Sequence, residues 1–166
     1  MILYVLRHGI AEVARPGTRD RDRRLTVRGR ARLHRAALGM RALGLKPGVL
    51  LTSPYARAAE TAAIVAAGLG GDLVPRELAE LAQPNAPVEI VAALRPFARH
   101  AQVGIVGHEP GLSGVVALLL TGSPDGVALV LKKGGLVALE IEAVRPGAGA
   151  TLLWMLTPRQ LRRLGR

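Results

Sequence analysis

The chain has 166 residues, a net charge of +11 and no cysteine, so disulfides, thiolate metal sites and thiol-phosphatase chemistry are set aside together. It is 49% hydrophobic and 21% charged, a balance that suits a folded protein rather than a disordered one. The length fits one domain over residues 1–166. With one Phe, one Trp and two Tyr, the core must be built from Leu, Val and Ala. No apolar run approaches the roughly 18 residues of a membrane span. Met1–Leu6 leads straight into charged residues rather than resembling a signal peptide. A cytoplasmic protein with no membrane partner is expected.

In chain order, Ile2–Leu6 is apolar at every position and stops at Arg7-His8-Gly9, the pattern of a central strand covered on both faces. After a polar loop, Thr26 is suited to cap a helix running to about Ala42, with Gly44 as its stop. Val49–Thr52 predicts a short strand closed by Ser53-Pro54. An Ala-rich helix follows from Tyr55 to Ala67, ended by Gly68. Val88–Ala98 predicts a third helix and Val103–Val106 another buried strand, stopping at Gly107-His108. Pro110 can open a fourth helix over Gly111–Leu120. Val127–Leu131, Leu136–Ile141 and Thr151–Leu156 read as strands, and Arg159–Leu164 as a short basic helix. Alternating strands and helices followed by hairpin-like strands give an α/β class. The expected architecture is a three-layer α/β/α sandwich with a mainly parallel sheet and an antiparallel edge.

Three of these strands end beside cationic groups: Arg7 and His8, Arg57, and His108. Parallel strands gather their carboxyl ends at one edge, where ligands bind, so two Arg and two His converge there. The helices starting near Tyr55 and Pro110 would add N-terminal N–H groups. Such a site suits a dianionic tetrahedral group, phosphoryl above all. No cluster has metal-ligand spacing, and the arginines would repel a cation, so neither a metal nor a cofactor is expected. Ser53 and Ser113 lie near the site histidines in sequence, but no Asp completes a triad and serine hydrolysis is set aside.

Leu6-Arg7-His8-Gly9, the segment Thr52–Ala62 with Ser53-Pro54 and Arg57, and Gly107-His108-Glu109-Pro110 resemble, in order and spacing, the three motifs of the histidine phosphatase superfamily, whose fold is phosphoglycerate mutase-like. The opening Leu-Arg-His-Gly-Ile-Ala-Glu, the short length and Arg24-Leu25-Thr26 ahead of the first helix are similar to the SixA-type phosphohistidine phosphatases. The resemblance implies a metal-independent phosphatase. His8 is the nucleophile and forms a covalent phosphohistidine. Arg7, Arg57 and His108 hold the phosphoryl oxygens, and Gly9 makes room for the phosphate. Glu80, with Glu77 second, is the nearest match to a general acid. A phosphohistidine leaving group depends less on such an acid, because its imidazole can be protonated before the bond breaks. Ile10 stands where many relatives carry a polar residue, which bears on specificity.

The implied substrate is phosphohistidine in a protein, and the short Pro84–Pro87 stretch offers little lid over a small metabolite. A sugar phosphate, nucleotide or other small phosphate ester is the alternative at the same site. A non-catalytic phosphate- or nucleic-acid-binding module is a further one. Dense arginine between Arg15 and Arg41 suits a nucleic-acid backbone. Against that partner stand the scarcity of aromatics for base stacking and the lack of a nucleic-acid motif. Composition bias and steering of an anionic substrate explain the charge as well. Arg28, Arg32 and Arg35 recur at helical spacing as a basic ridge, read as a solvated face that could dock an acidic protein. Asp20 and Asp22 are read as offsetting local charge, and His34 and His100 as surface residues.

Overall fold

The computed structural model describes residues 1–84, 86–147 and 149–166. Six strands form one sheet: β1 (Ile2–Arg7), β2 (Val49–Thr52), β3 (Arg76–Glu77), β4 (Gln102–Gly107), β5 (Leu136–Ile141) and β6 (Ala150–Leu156). Their spatial order is β3-β2-β4-β1-β5-β6. The first four are mutually parallel, whereas β5 runs antiparallel to both β1 and β6. The α/β sandwich with a parallel centre and an antiparallel edge is as expected.

Five helices cover the sheet: α1 (Val27–Ala42), α2 (Ala56–Leu69), α3 (Pro87–Leu94), α4 (Gly111–Thr121) and α5 (Pro158–Leu164). The alternation in β1 assigns the layers. Leu3 and Val5 join the core made with α3 and α4, through Ile90, Leu94, Leu112 and Val115. Tyr4 and Leu6 face the opposite core, with Ala36 and Met40 of α1, Ala62 of α2 and Leu161 of α5. Successive side chains of a strand point to opposite faces, so a strand apolar throughout needs helices on both sides. Among the described residues no helix is long and apolar enough to cross a membrane.

Several predicted boundaries move. Val127–Leu131 is not a strand. Both edges of β5 are already paired with β1 and β6, and Val130 is 74% exposed while Leu131 alone is fully buried. The two-residue β3 and the 3-10 turn Ala79–Leu81 were not anticipated. In α2 the helix passes through Gly68 and stops at Gly70, whose φ of 81° is left-handed. Gly68 is there for packing, since a Cβ would lie 2.4 Å from that of Ala37 in α1. The third helix gives way after Leu94 to a 3-10 turn containing Pro96, which cannot donate to a helical ladder. Thr26 caps α1 as expected, its Oγ1 accepting from Gly29 N.

Candidate active site

The parallel ladder extends one residue beyond the strands. His8 N donates to Gly107 O (3.1 Å) and Ser53 N to Val106 O (2.9 Å), which holds His8 and Ser53 at one rim. Gly134, in the left-handed region with φ of 77°, turns its N–H onto the carbonyls of Arg7 and His8, 3.0 Å each. The chain on both sides of the Arg7–His8 peptide is thereby fixed.

His8 is 6% exposed, and its Nδ1 lies 2.7 Å from Gly9 O. A carbonyl can only accept, so Nδ1 carries the proton and Nε2 presents a lone pair. Arg57 Nε donates to that Nε2 at 3.3 Å. Burial lowers the His8 pKa to about 3. The Gly9 bond opposes the shift, while the charges of His108, Arg57 and Arg7 add to it. The ring is neutral at physiological pH, the state a nitrogen nucleophile requires.

His108 sits 5.0 Å from the His8 ring, centroid to centroid, and equally far from Tyr55. Burial, followed by the charge of Arg57, lowers its pKa to about 4, with Asp20 acting the other way. Its Nε2 lies 2.9 Å from Ser53 Oγ. Its Nδ1 and Arg7 Nε are buried without a hydrogen-bond partner. Two polar atoms left unsatisfied in one site are costly unless a ligand engages them.

Arg57, in the first turn of α2, is 2% exposed, and its Cζ lies 5.1 Å from the Tyr55 ring centre. Its NH1 donates to Asp20 O (2.7 Å) and its NH2 to Asp20 Oδ2 (2.9 Å). Asp20 is thus a site residue, contrary to its reading as local charge balance. Sequence distance hid this, since the polar loop carrying Asp20 folds back over the α2 N-terminus. Burial would raise the Asp20 pKa, but hydrogen bonds from Arg23 and Arg57 outweigh it and hold the carboxyl below its ordinary value. Arg7 NH1 donates to Leu131 O at 2.8 Å.

Gly9 donates its N–H to Thr61 Oγ1 (3.1 Å), and Thr61 donates to Arg57 O (2.6 Å). A Cβ on Gly9 would meet Leu33 Cδ1 at 2.5 Å, so the absent side chain makes room for α1. Thr61 and Ser53, both fully buried, are polar residues of the site; the sequence reading set Ser53 aside as a nucleophile and gave Thr61 no role, though polarity inside an otherwise Ala-rich helix was the available signal. The α4 N-terminus is less open than expected, because the Glu109 carboxylate accepts from Ser113 N at 3.2 Å. Glu80 is half-buried in the turn after β3. β3 is parallel to β2, with Glu77 opposite Thr52, so this turn lies at the same sheet edge as His8. A cleft of about 340 Å³ beside His108 is lined by Leu81, Gln83, Pro84, Ile90 and Leu112. His34 is exposed and His100 half-buried. Among the described residues no group of His, Asp and Glu is arranged to hold a metal ion.

A neutral imidazole with a presented lone pair, flanked by two guanidinium groups, defines a site for nitrogen attack on an oxyanion. The sequence profile of the histidine phosphatase superfamily (branch 1) matches residues 3–83, and the chain belongs to that superfamily. An uncharacterized protein of the cyanobacterium Picosynechococcus is 37% identical over 147 residues, covering 87% of this chain and 88% of that protein. In fold, the chain is similar to the protein histidine phosphatase SixA solved with tungstate, with a TM-score of 0.83 and 22% identity over 97% of this chain and 99% of the other. It is also similar to the alpha-ribazole phosphatase of Shigella flexneri, with a TM-score of 0.73 and 18% identity over 95% and 97% of the two chains.

Proposed function

We propose that the protein is a phosphatase acting on phosphohistidine in a protein, with His8 as nucleophile. The observation carrying this is the His8 ring, whose Nδ1 is tied to Gly9 O at 2.7 Å while Nε2 faces Arg57. His8 Nε2 attacks phosphorus as the bond to the leaving imidazole breaks, and that imidazole departs with a proton. Water then attacks the phosphohistidine on His8, releasing inorganic phosphate and restoring the neutral ring. Arg7 and Arg57 neutralise the non-bridging oxygens, where donors held in place contribute most as charge develops. His108 donates through Nδ1, and Gly9 acts through its carbonyl and close packing. Asp20, held ionised by its arginines, is unsuited to give a proton, and Glu80 is the acid proposed for that step. No metal takes part in this reaction.

A small phosphate ester is the second reading. The cleft beside His108 has the size to take a compact leaving group, and the alpha-ribazole phosphatase shares the fold.

The test offers wild type and His8→Ala a phosphohistidine protein and a panel of phosphate esters in the presence of chelator. Labelled phosphate should be released preferentially from the phosphoprotein, and wild type alone should retain label on the enzyme. Faster release from one ester transfers the reading to a metabolite. Turnover by His8→Ala, or activity dependent on added metal, overturns the mechanism.

A further inference from the structure

The basic ridge of α1 is enlarged in the fold. α5 packs along α1 so closely that glycine is needed on both sides. A Cβ on Gly39 would lie 1.9 Å from Leu161 O, and one on Gly165 would lie 2.4 Å from Arg35 O. This brings Arg159, Arg162 and Arg163 of α5 beside Arg28, Arg32 and Arg35. Burial, then the charges of Arg32, Arg159, Arg35 and Arg28, lower the Arg162 pKa, which reflects the positive charge gathered there. Asp20, Asp22 and Glu60 supply the ion pairs of Arg19, Arg21, Arg23, Arg24, Arg30 and Arg57. Among the described residues no ion pair reaches the six arginines of this surface. Mutual repulsion among like charges destabilises the folded chain, and an anionic partner removes that cost.

The surface neighbours the segment that carries His8. Arg32 and Arg162 line a small cleft together with Gly9, Ile10, Lys133 and Gly134, and Gly9 is the residue after His8. Both helices set out from the sheet edge that carries the site. Thr26, the α1 cap, donates its N–H to Ile10 O at 2.9 Å. α5 follows β6, which ends at that same edge. From Arg28 to Arg35 the ridge spans about 10 Å at the helical rise, more than a small phosphate ester covers while its phosphoryl group is at His8. A polynucleotide would find charge but no aromatic side chain among these residues to stack on.

We propose that this face docks an acidic segment of the phosphorylated protein substrate, its Asp and Glu lying across Arg32, Arg35, Arg159 and Arg162 while its phosphohistidine enters the site. The inference rests on the phosphohistidine reading and names the surface that recognises the substrate. Its test uses the triple variant R32Q/R35Q/R162Q, which leaves His8, Arg7, Arg57 and His108 untouched. The probes are two phosphohistidine peptides of common core, one with an Asp/Glu-rich flank and one with a Ser/Gln flank, together with p-nitrophenyl phosphate. Anisotropy of the unphosphorylated acidic peptide measures docking without turnover. Wild type should show a KM about tenfold lower for the acidic peptide, falling toward parity as salt rises. The variant should lose that preference and the peptide binding, keep its kcat/KM on the ester within about twofold, and recover both on Arg→Lys exchange. Unchanged peptide affinity in the variant overturns the proposal, as does tighter arginine-dependent binding of a DNA duplex than of the peptide. Arginine-dependent peptide binding without turnover of either phosphohistidine peptide upholds the docking surface and refutes the reaction assigned to it.

Discussion

Ser53 Oγ and His108 Nε2 lie 2.9 Å apart in the buried site, a contact that couples the serine hydroxyl to the His108 tautomer. Ser53 Oγ also accepts from Tyr55 N at 3.2 Å, and in the role proposed for His108 its own hydrogen goes to Nε2. The ring proton then resides on Nδ1, the nitrogen that has no protein partner. A neutral histidine delivers a hydrogen bond to phosphate only from the protonated nitrogen.

Ser53→Ala should therefore lower kcat about tenfold with little change in KM, because a misassigned tautomer removes a donor from the transition state. Ser53→Thr should restore activity. Nitrogen NMR of the labelled ring would show the proton moving off Nδ1 in the alanine variant, and an unchanged tautomer would refute this role.

The two site histidines couple stability to pH. In the unfolded chain each titrates near 6.5, whereas in the fold His8 takes a proton only at about 3 and His108 at about 4. Between those values the unfolded chain binds more protons. The stabilisation is fully present above the unfolded pKa and is lost as pH falls toward 4 and then 3. Urea unfolding should show a loss on the order of a few kcal/mol between pH 7 and pH 4, reduced in His108→Gln. Over pH 5–7 kcat/KM should show no acid limb from the nucleophile, since His8 stays neutral throughout.

Thr61 links Gly9 to Arg57 through one buried hydroxyl. Thr61→Val keeps the shape and strands the Gly9 N–H, a cost of about 1–3 kcal/mol. We expect that loss in denaturant unfolding, accompanied by lower kcat, because Gly9 also orients His8. Normal stability would mean that the amide finds another acceptor.

Gly39→Ala forces a methyl group against the Leu161 carbonyl. Overpacking of this kind costs about 1–3 kcal/mol. Hydrogen exchange should accelerate over residues 158–164 while the α2 amides stay protected. A variant as stable as wild type would refute the close fit of α1 and α5.

Much of the site was readable because three strands each end at a cationic group, and parallel pairing brings chain ends together whatever lies between them. His8, Arg57 and His108 needed only that topology. Asp20 was hidden, because a loop shows no periodicity to say where it returns. Ser53 was weighed only as a nucleophile and set aside, since nothing local shows that its hydroxyl meets the ring of His108. Val127–Leu131 carries strand-like residues, yet β5, the strand that follows it, is already paired by β1 and β6, and composition alone does not show that. Gly68 looked like a helix stop because glycine serves both as terminator and as a contact between helices, and only the position of Ala37 distinguishes the two.

Asp20 gives the site a resident counterion. A phosphoryl group reaching Arg57 competes with Asp20, whose carboxylate and backbone carbonyl each already hold one of its N–H donors, and a departing phosphate leaves Arg57 to Asp20 again. In the proposed reaction product release is a handover between anions, so the affinity of the free enzyme for phosphate is an exchange constant rather than the full strength of the guanidinium. An enzyme that must let go of inorganic phosphate gains turnover from that arrangement.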